Sequence, residues 1–245
     1  MRVQRAELDG CAATLVGYGD SAIATIRPAP AAGRDRFSIG HEFGHWMLHR
    51  GQSFRCRADG MNQNLSSNRP LEREADTFAA HLLMPRSLFN PCVASLGRPG
   101  FRQLDELRKE FDTSLMATTL RLAGINTLPV VVACFGKNGR RWKISAQDVP
   151  KRWWLCDEVD PDSFAYDVLF QGKTTGQGKQ PADTWFTNED AGRFEVTEHA
   201  VRTRNDDVLV LIYLEGEAAF HSRFDPTVGA RKYTEYGSYV PSRRK

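Results

Sequence analysis

At 245 residues the chain can build a sizeable core in one to three small domains, and its 41% hydrophobic and 26% charged content is that of a globular protein. The net charge of +3 neither demands nor excludes a nucleic-acid partner, although Arg231, Lys232, Arg243, Arg244 and Lys245 concentrate positive charge in the tail. Five scattered cysteines without a C-x-x-C pair argue against a disulfide framework or a cysteine zinc site, and with no signal-like amino terminus or membrane-length apolar run they point to reduced thiols in a cytoplasm.

In chain order, Ala12 to Val16 and Ala22 to Ile26 read as two strands joined at Tyr18-Gly19-Asp20, then a Pro/Ala/Gly connection from Arg27 to Gly33. The next segment is helical: Phe37, Trp46, Met47 and Leu48 give it apolar character, and Gly51 is placed to end it. It carries His41-Glu42-Phe43-Gly44-His45. Two histidines four residues apart share a helix face and can hold one ion, while Glu42, rotated about 100°, can reach a water on that ion. His49 continues the series, but lies about 12 Å from His41 along the helix axis and is read as a non-ligand.

Gly51 to Asn68 is polar and aperiodic, consistent with a loop over a cleft. A second helix follows over Leu71 to Pro85, with Ser67 or Asn68 as cap, Pro70 in its first turn and Pro85 as its stop. Leu71, Ala75, Phe78, Ala79, Leu82 and Leu83 form its apolar stripe. Glu72 falls roughly 60° from the stripe's centre, so it is the carboxylate expected to point inward and supply the third ligand. Asp76 shares that face and is placed to accept the outer N–H of a metal-bound histidine. His81 falls on the opposite face and is expected at the surface.

After a connector from Pro91 to Gly100, Leu104, Leu107 and Phe111 mark a short helix, and Ser114 caps another that ends at Gly124. Val130 to Phe135 and Arg141 to Ile144 flank Lys137-Asn138-Gly139-Arg140, a hairpin signal. Helix, turn, helix and wing is a DNA-binding shape. The helix that would enter a groove offers only Arg121 as a base, so a helical module packed on the first domain is favoured. Beyond Trp153 and Trp154, the Gly- and Lys-rich Gln171 to Gln180 reads as mobile, and Arg193 to Val201 with Val208 to Leu214 as a hairpin across Asn205-Asp206-Asp207. The tail beyond Tyr233 reads as loosely ordered. The expected fold is α+β, in three parts: residues 1–97, a small metallopeptidase domain; 98–152, a helix-turn-helix or winged-helix-like module; and 153–245, a β-rich domain of unread role.

Two motifs carry a resemblance: Arg36-Phe37-Ser38-Ile39-Gly40-His41-Glu42-Phe43-Gly44-His45, and Glu72-Arg73-Glu74-Ala75-Asp76-Thr77-Phe78-Ala79-Ala80-His81-Leu82-Leu83-Met84-Pro85. Together they resemble the ImmA/IrrE family of metallopeptidases, closely over residues 36–85 and more weakly to about residue 145. The resemblance implies a zincin-like domain in which His41, His45 and Glu72 hold zinc, or manganese, and Glu42 is the general base. It also implies an intracellular protease whose substrate is a helix-turn-helix repressor, cleaved to relieve repression in stress or mobile-element regulation. Members of the family usually carry a helix before the first strands, whereas forty residues precede His41 here, so the amino-terminal lobe is expected to be minimal or the start internal. Rival readings are a DNA-binding regulator with a structural zinc site, and a catalytically silent toxin–antitoxin partner, against which the intact Glu42 argues.

Overall fold

Two short runs of alternating small apolar residues build the first sheet. In β2 (Ala13–Tyr18) and β3 (Ser21–Ile26), Ala13, Leu15, Ala22, Ala24 and Ile26 point to one buried face, and the two strands pair antiparallel across Gly19, whose φ is +54°. Strand β1 (Arg2–Arg5) adds parallel to β3, and β4 (Phe54–Cys56) adds antiparallel to β2, in the order β1-β3-β2-β4. Neither edge strand is evident from the residues. Phe54 to Cys56 falls in the segment expected to be a loop, because three residues are too few to display a period. The computed structural model describes residues 1–28, 32–56, 69–216 and 219. The rest of that expected loop, its Ser67 or Asn68 cap and the basic carboxy-terminal tail lie outside the described residues.

Helix α1 (Ala32–Leu48) packs on this sheet through Ile39, Phe43 and Trp46 and runs beside α2 (Arg69–Leu83). Small residues let the two helices approach. A Cβ on Gly44 would lie 3.1 Å from both Ala75 Cα and Phe78 Cβ, and one on Gly40 would meet Ala79 Cβ at 3.4 Å. Close contact of these faces places Glu72 of α2 against the histidines of α1. Gly51, at φ +82°, follows the end of α1 as expected.

The Pro91 to Gly100 connector is corrected by α3 (Arg86–Leu96), which contains Pro91. Proline removes one helical hydrogen bond, but the carbonyl it frees, on Ser87, belongs to an exposed residue and can be hydrated, while buried Phe89 and Val93 anchor the helix. Helices α4 (Phe101–Glu110) and α5 (Leu115–Gly124) follow where expected, with Ser114 Oγ accepting from Ala117 N at 3.1 Å. Arg121 on α5 is buried, and its Nε donates to Met84 O at 3.0 Å, one residue beyond α2. It holds the carboxy-terminal end of α2, where a cation complements the helix dipole.

The expected wing is also corrected. β5 (Val130–Gly136) and β6 (Gly139–Ser145) form the hairpin, but β5 pairs on its other side with β9 (Val208–Leu214) in a five-stranded sheet of order β6-β5-β9-β8-β7. Strands from either side of residue 152 therefore share one sheet. Met1–Glu215 make one compact unit, and of the second, Gly216–Lys245, only Gly216 and Ala219 are described. β8 (Glu195–Arg202) and β9 form the expected hairpin, Asp206 taking a φ of +58° in its turn. Most of the Gly/Lys-rich stretch that reads as mobile is instead strand β7 (Thr175–Pro181), paired along its length with β8. Its glycines are required by contact: a Cβ on Gly176 or Gly178 would come within 2.8 Å or 2.5 Å of Phe164, the first residue of α6 (Phe164–Phe170). The result is a mixed α+β fold, with two sheets among the described residues. No described helix is long and apolar enough to cross a membrane.

Candidate metal centre

The helical spacing of the tetrad puts His41 and His45 one turn apart, and their Nε2 atoms face each other at 3.1 Å. Glu72 reaches in from α2, its Oε2 at 3.2 Å from His41 Nε2 and its Oε1 at 3.6 Å from His45 Nε2. Bonds of about 2.1 Å to a single tetrahedral ion would separate ligand atoms by about 3.4 Å. The three side chains therefore fit one divalent metal ion, with both imidazoles presenting Nε2.

Each ring is oriented by a partner on its outer nitrogen. His41 Nδ1 lies 2.8 Å from Asp76 Oδ1. His45 Nδ1 lies 3.0 Å from His49 Nδ1, and His49 Nε2 lies 2.8 Å from Glu74 Oε2. With His45 Nε2 turned to the cluster, one polarity satisfies the chain: His45 Nδ1–H donates to His49, and His49 Nε2–H donates to Glu74. His49, buried and outside the cluster, thus has a place that its i, i+4 spacing suggested but the reading as a non-ligand did not assign. Phe54 of β4 stacks on His45 with ring centroids 3.8 Å apart, excluding water from that face. His81 is exposed, as its position on the wheel implied.

The charges of the site are interdependent. Burial alone would lower the proton affinity of His41, but Asp76, Cys56 and Glu72 outweigh it and push its pKa up to about 12. His45 is lowered, chiefly by burial. For Glu72, burial acts upward, yet His41 and His45 bring it down to about 2, so it is a carboxylate at any ordinary pH. Glu42 is fully buried, and burial pushes it up to about 7. Neither of its carboxylate oxygens has a hydrogen-bond partner of normal geometry among the described residues.

One member of the cluster was not anticipated. Cys56 is 7% exposed, and its sulfur joins His41, His45 and Glu72 in a group whose ligand atoms all lie within 4.8 Å of one another. Three residues carry no period that would have signalled it: Phe54 and Cys56 turn inward only once β4 pairs with β2.

Residues 18–123 match the family model Peptidase_M78, the IrrE N-terminal-like domain. This stretch is an IrrE N-terminal-like domain. It spans both helices of the metal centre, β4 and α3 to α5, and agrees with the family that the two motifs resemble. A transcriptional regulator of Mycobacterium tuberculosis is similar over 97% of this chain and 70% of its own, with 14% sequence identity and a TM-score of 0.61. That likeness is one of fold, and it extends past the IrrE-like domain into the second sheet. A search of curated proteins finds no match.

Proposed function

We propose that the chain is a cytoplasmic zinc-dependent endopeptidase that cuts a helix-turn-helix repressor and so relieves repression. The observation that carries the chemistry is the arrangement of His41, His45 and Glu72, whose ligand atoms lie 3.1 to 3.6 Å from one another, beside a buried Glu42 without a hydrogen-bond partner of normal geometry among the described residues. Two imidazoles and a carboxylate suit zinc, with manganese the alternative. When bound, the ion supplies Lewis acidity to the scissile carbonyl and to the attacking water. Glu42, poised near neutrality by burial, accepts the proton of that water and passes it to the leaving amine. Asp76 and the His49–Glu74 pair hold the two rings in the tautomer that binding requires.

The edge position of β4 favours an extended substrate segment, which would add to it through main-chain hydrogen bonds. Five free cysteines support a reducing compartment, and the repressor as substrate rests on the family resemblance. A DNA-binding role draws less support, because Arg121, the base on the helix that would enter a groove, is buried against Met84.

The test is incubation of the zinc-loaded protein with small helix-turn-helix repressors, beginning with any encoded beside it. The parent should cut the repressor, and Glu42→Gln should retain zinc while cutting about 100-fold more slowly or worse. Undiminished cleavage by Glu42→Gln would remove Glu42 from its role, and failure to bind zinc would remove the metal centre.

A further inference from the structure

The mechanism above has no use for Cys56. Its position nevertheless follows from the sheet: pairing of Cys56 with Ala13 on β2 turns its side chain toward α1, the same way that Phe54 turns onto His45. The sulfur is a fourth donor beside two imidazoles and a carboxylate, the four ligand atoms all lying within 4.8 Å of one another. It is also close enough to both His41 and Glu42 to influence their protonation. A side chain close to both the ligands and Glu42 competes for the space that an attacking water needs.

Glu42 provides the independent observation. A fully buried carboxylate whose two oxygens lack partners among the described residues is costly to keep. A metal site that served only to hold the fold would gain nothing from it. Its retention marks a centre equipped for proton transfer, while the nearby sulfur closes that centre.

We propose that the Cys56 thiolate is the fourth protein ligand, giving a closed Cys-His-His-Glu centre that turns over only in the fraction of molecules whose sulfur is displaced. The proposal rests on the metal-centre reading above. As the metal–sulfur bond forms, the thiol proton leaves to solvent. On opening, that bond breaks, the sulfur takes up a proton and a water enters in its place, so the switch consumes no oxidant or reductant. A thiolate in the set also favours zinc over manganese.

Cobalt(II) substitution of the full chain tests this independently of activity. The parent should show visible d–d bands of a four-coordinate site together with a near-ultraviolet sulfur-to-cobalt charge-transfer band. Cys56→Ser and Cys56→Ala should keep the d–d bands and lose the sulfur band, since Cys11, Cys92, Cys134 and Cys156 remain in both. Both variants should also cut the repressor faster than the parent. Mass spectrometry adds a second measure in the unaltered protein: zinc should protect Cys56 from iodoacetamide, and a chelator should abolish that protection. Visible bands without a sulfur band in the parent, or a sulfur band that persists in both variants, would overturn the thiolate ligand alone. Absence of any cobalt spectrum would overturn the metal-centre reading and this proposal with it.

Discussion

The approach of α1 to α2 sets the bite of the metal centre, and Gly44 controls it. An added Cβ there would lie 3.1 Å from Ala75 Cα and Phe78 Cβ and 3.2 Å from Ala75 O, against normal carbon contacts of about 3.5 to 4.0 Å. Gly44→Ala therefore requires the helices to part by about half an ångström. Gly44→Val, with two further carbons beyond Cβ, requires about an ångström or more. Overpacking of this kind costs about 1–3 kcal/mol, and the gain from replacing a helical glycine returns roughly 1 kcal/mol for alanine but less for valine. Gly44→Ala should be destabilised by about 0–2 kcal/mol and Gly44→Val by about 1–3 kcal/mol. Zinc affinity should fall with them, because Glu72 on the receding helix must still span 3.2 and 3.6 Å to the two histidines, and metal geometry tolerates only about 0.2 Å.

Gly40 is the control. There a Cβ would make an ordinary 3.4 Å contact with Ala79 Cβ, so Gly40→Ala should leave zinc affinity intact and be neutral or stabilising by up to about 1 kcal/mol. Urea denaturation of the metal-free proteins and competition against a chromophoric zinc chelator measure the two effects. If Gly44→Val were as stable as Gly40→Ala and bound zinc equally well, the helix contact would not set the site.

His49→Phe preserves bulk but deprives His45 Nδ1 of its acceptor, and zinc should bind about tenfold more weakly by the same competition assay; unchanged affinity would reduce His49 to packing. In the second sheet, Glu198 accepts from Ala165 N and Trp185 Nε1, yet burial raises its pKa from 4.5 to about 7. A raised carboxyl pKa means that the folded state holds the proton more tightly. The resulting penalty is absent below pH 4.5, grows as pH rises and is complete above about 7, at roughly 3 kcal/mol. Glu198→Gln should lack this decline, so its stability relative to the parent should rise by that amount between pH 4.5 and 8 in urea titrations; parallel pH profiles would show that Glu198 does not titrate in this range.

Much of the metal centre was legible locally. The tetrad needs only helical periodicity to converge two rings, and the angular position of Glu72 relative to its apolar stripe was enough to turn it inward. The Ser114 cap and the Asn-Gly hairpin were equally readable, because each depends on residues within one turn. Cys56 was not, since a three-residue strand has no visible period and acquires an inward face only by pairing with β2. Gln171 to Gln180 read as mobile from its composition, and most of it is a strand because Phe164 fills the space beside its glycines and β8 pairs with it.

The wing illustrates the same boundary. Its turn was encoded locally, but β5 finds β9 more than seventy residues later, and a hairpin signal says nothing about what lies across its other edge. The all-buried runs of β5 and β9 did carry a hint, because a strand covered on both faces is central and not a free wing. By itself, then, the sequence determined which side chains make up the candidate metal centre, through spacings internal to single helices. Tertiary structure decided how closely the helices carry those side chains together, that a sulfur joins them, and that two regions of unlike composition complete one sheet. Those outcomes depend on contacts between residues remote in the chain, for which local periodicity holds no record.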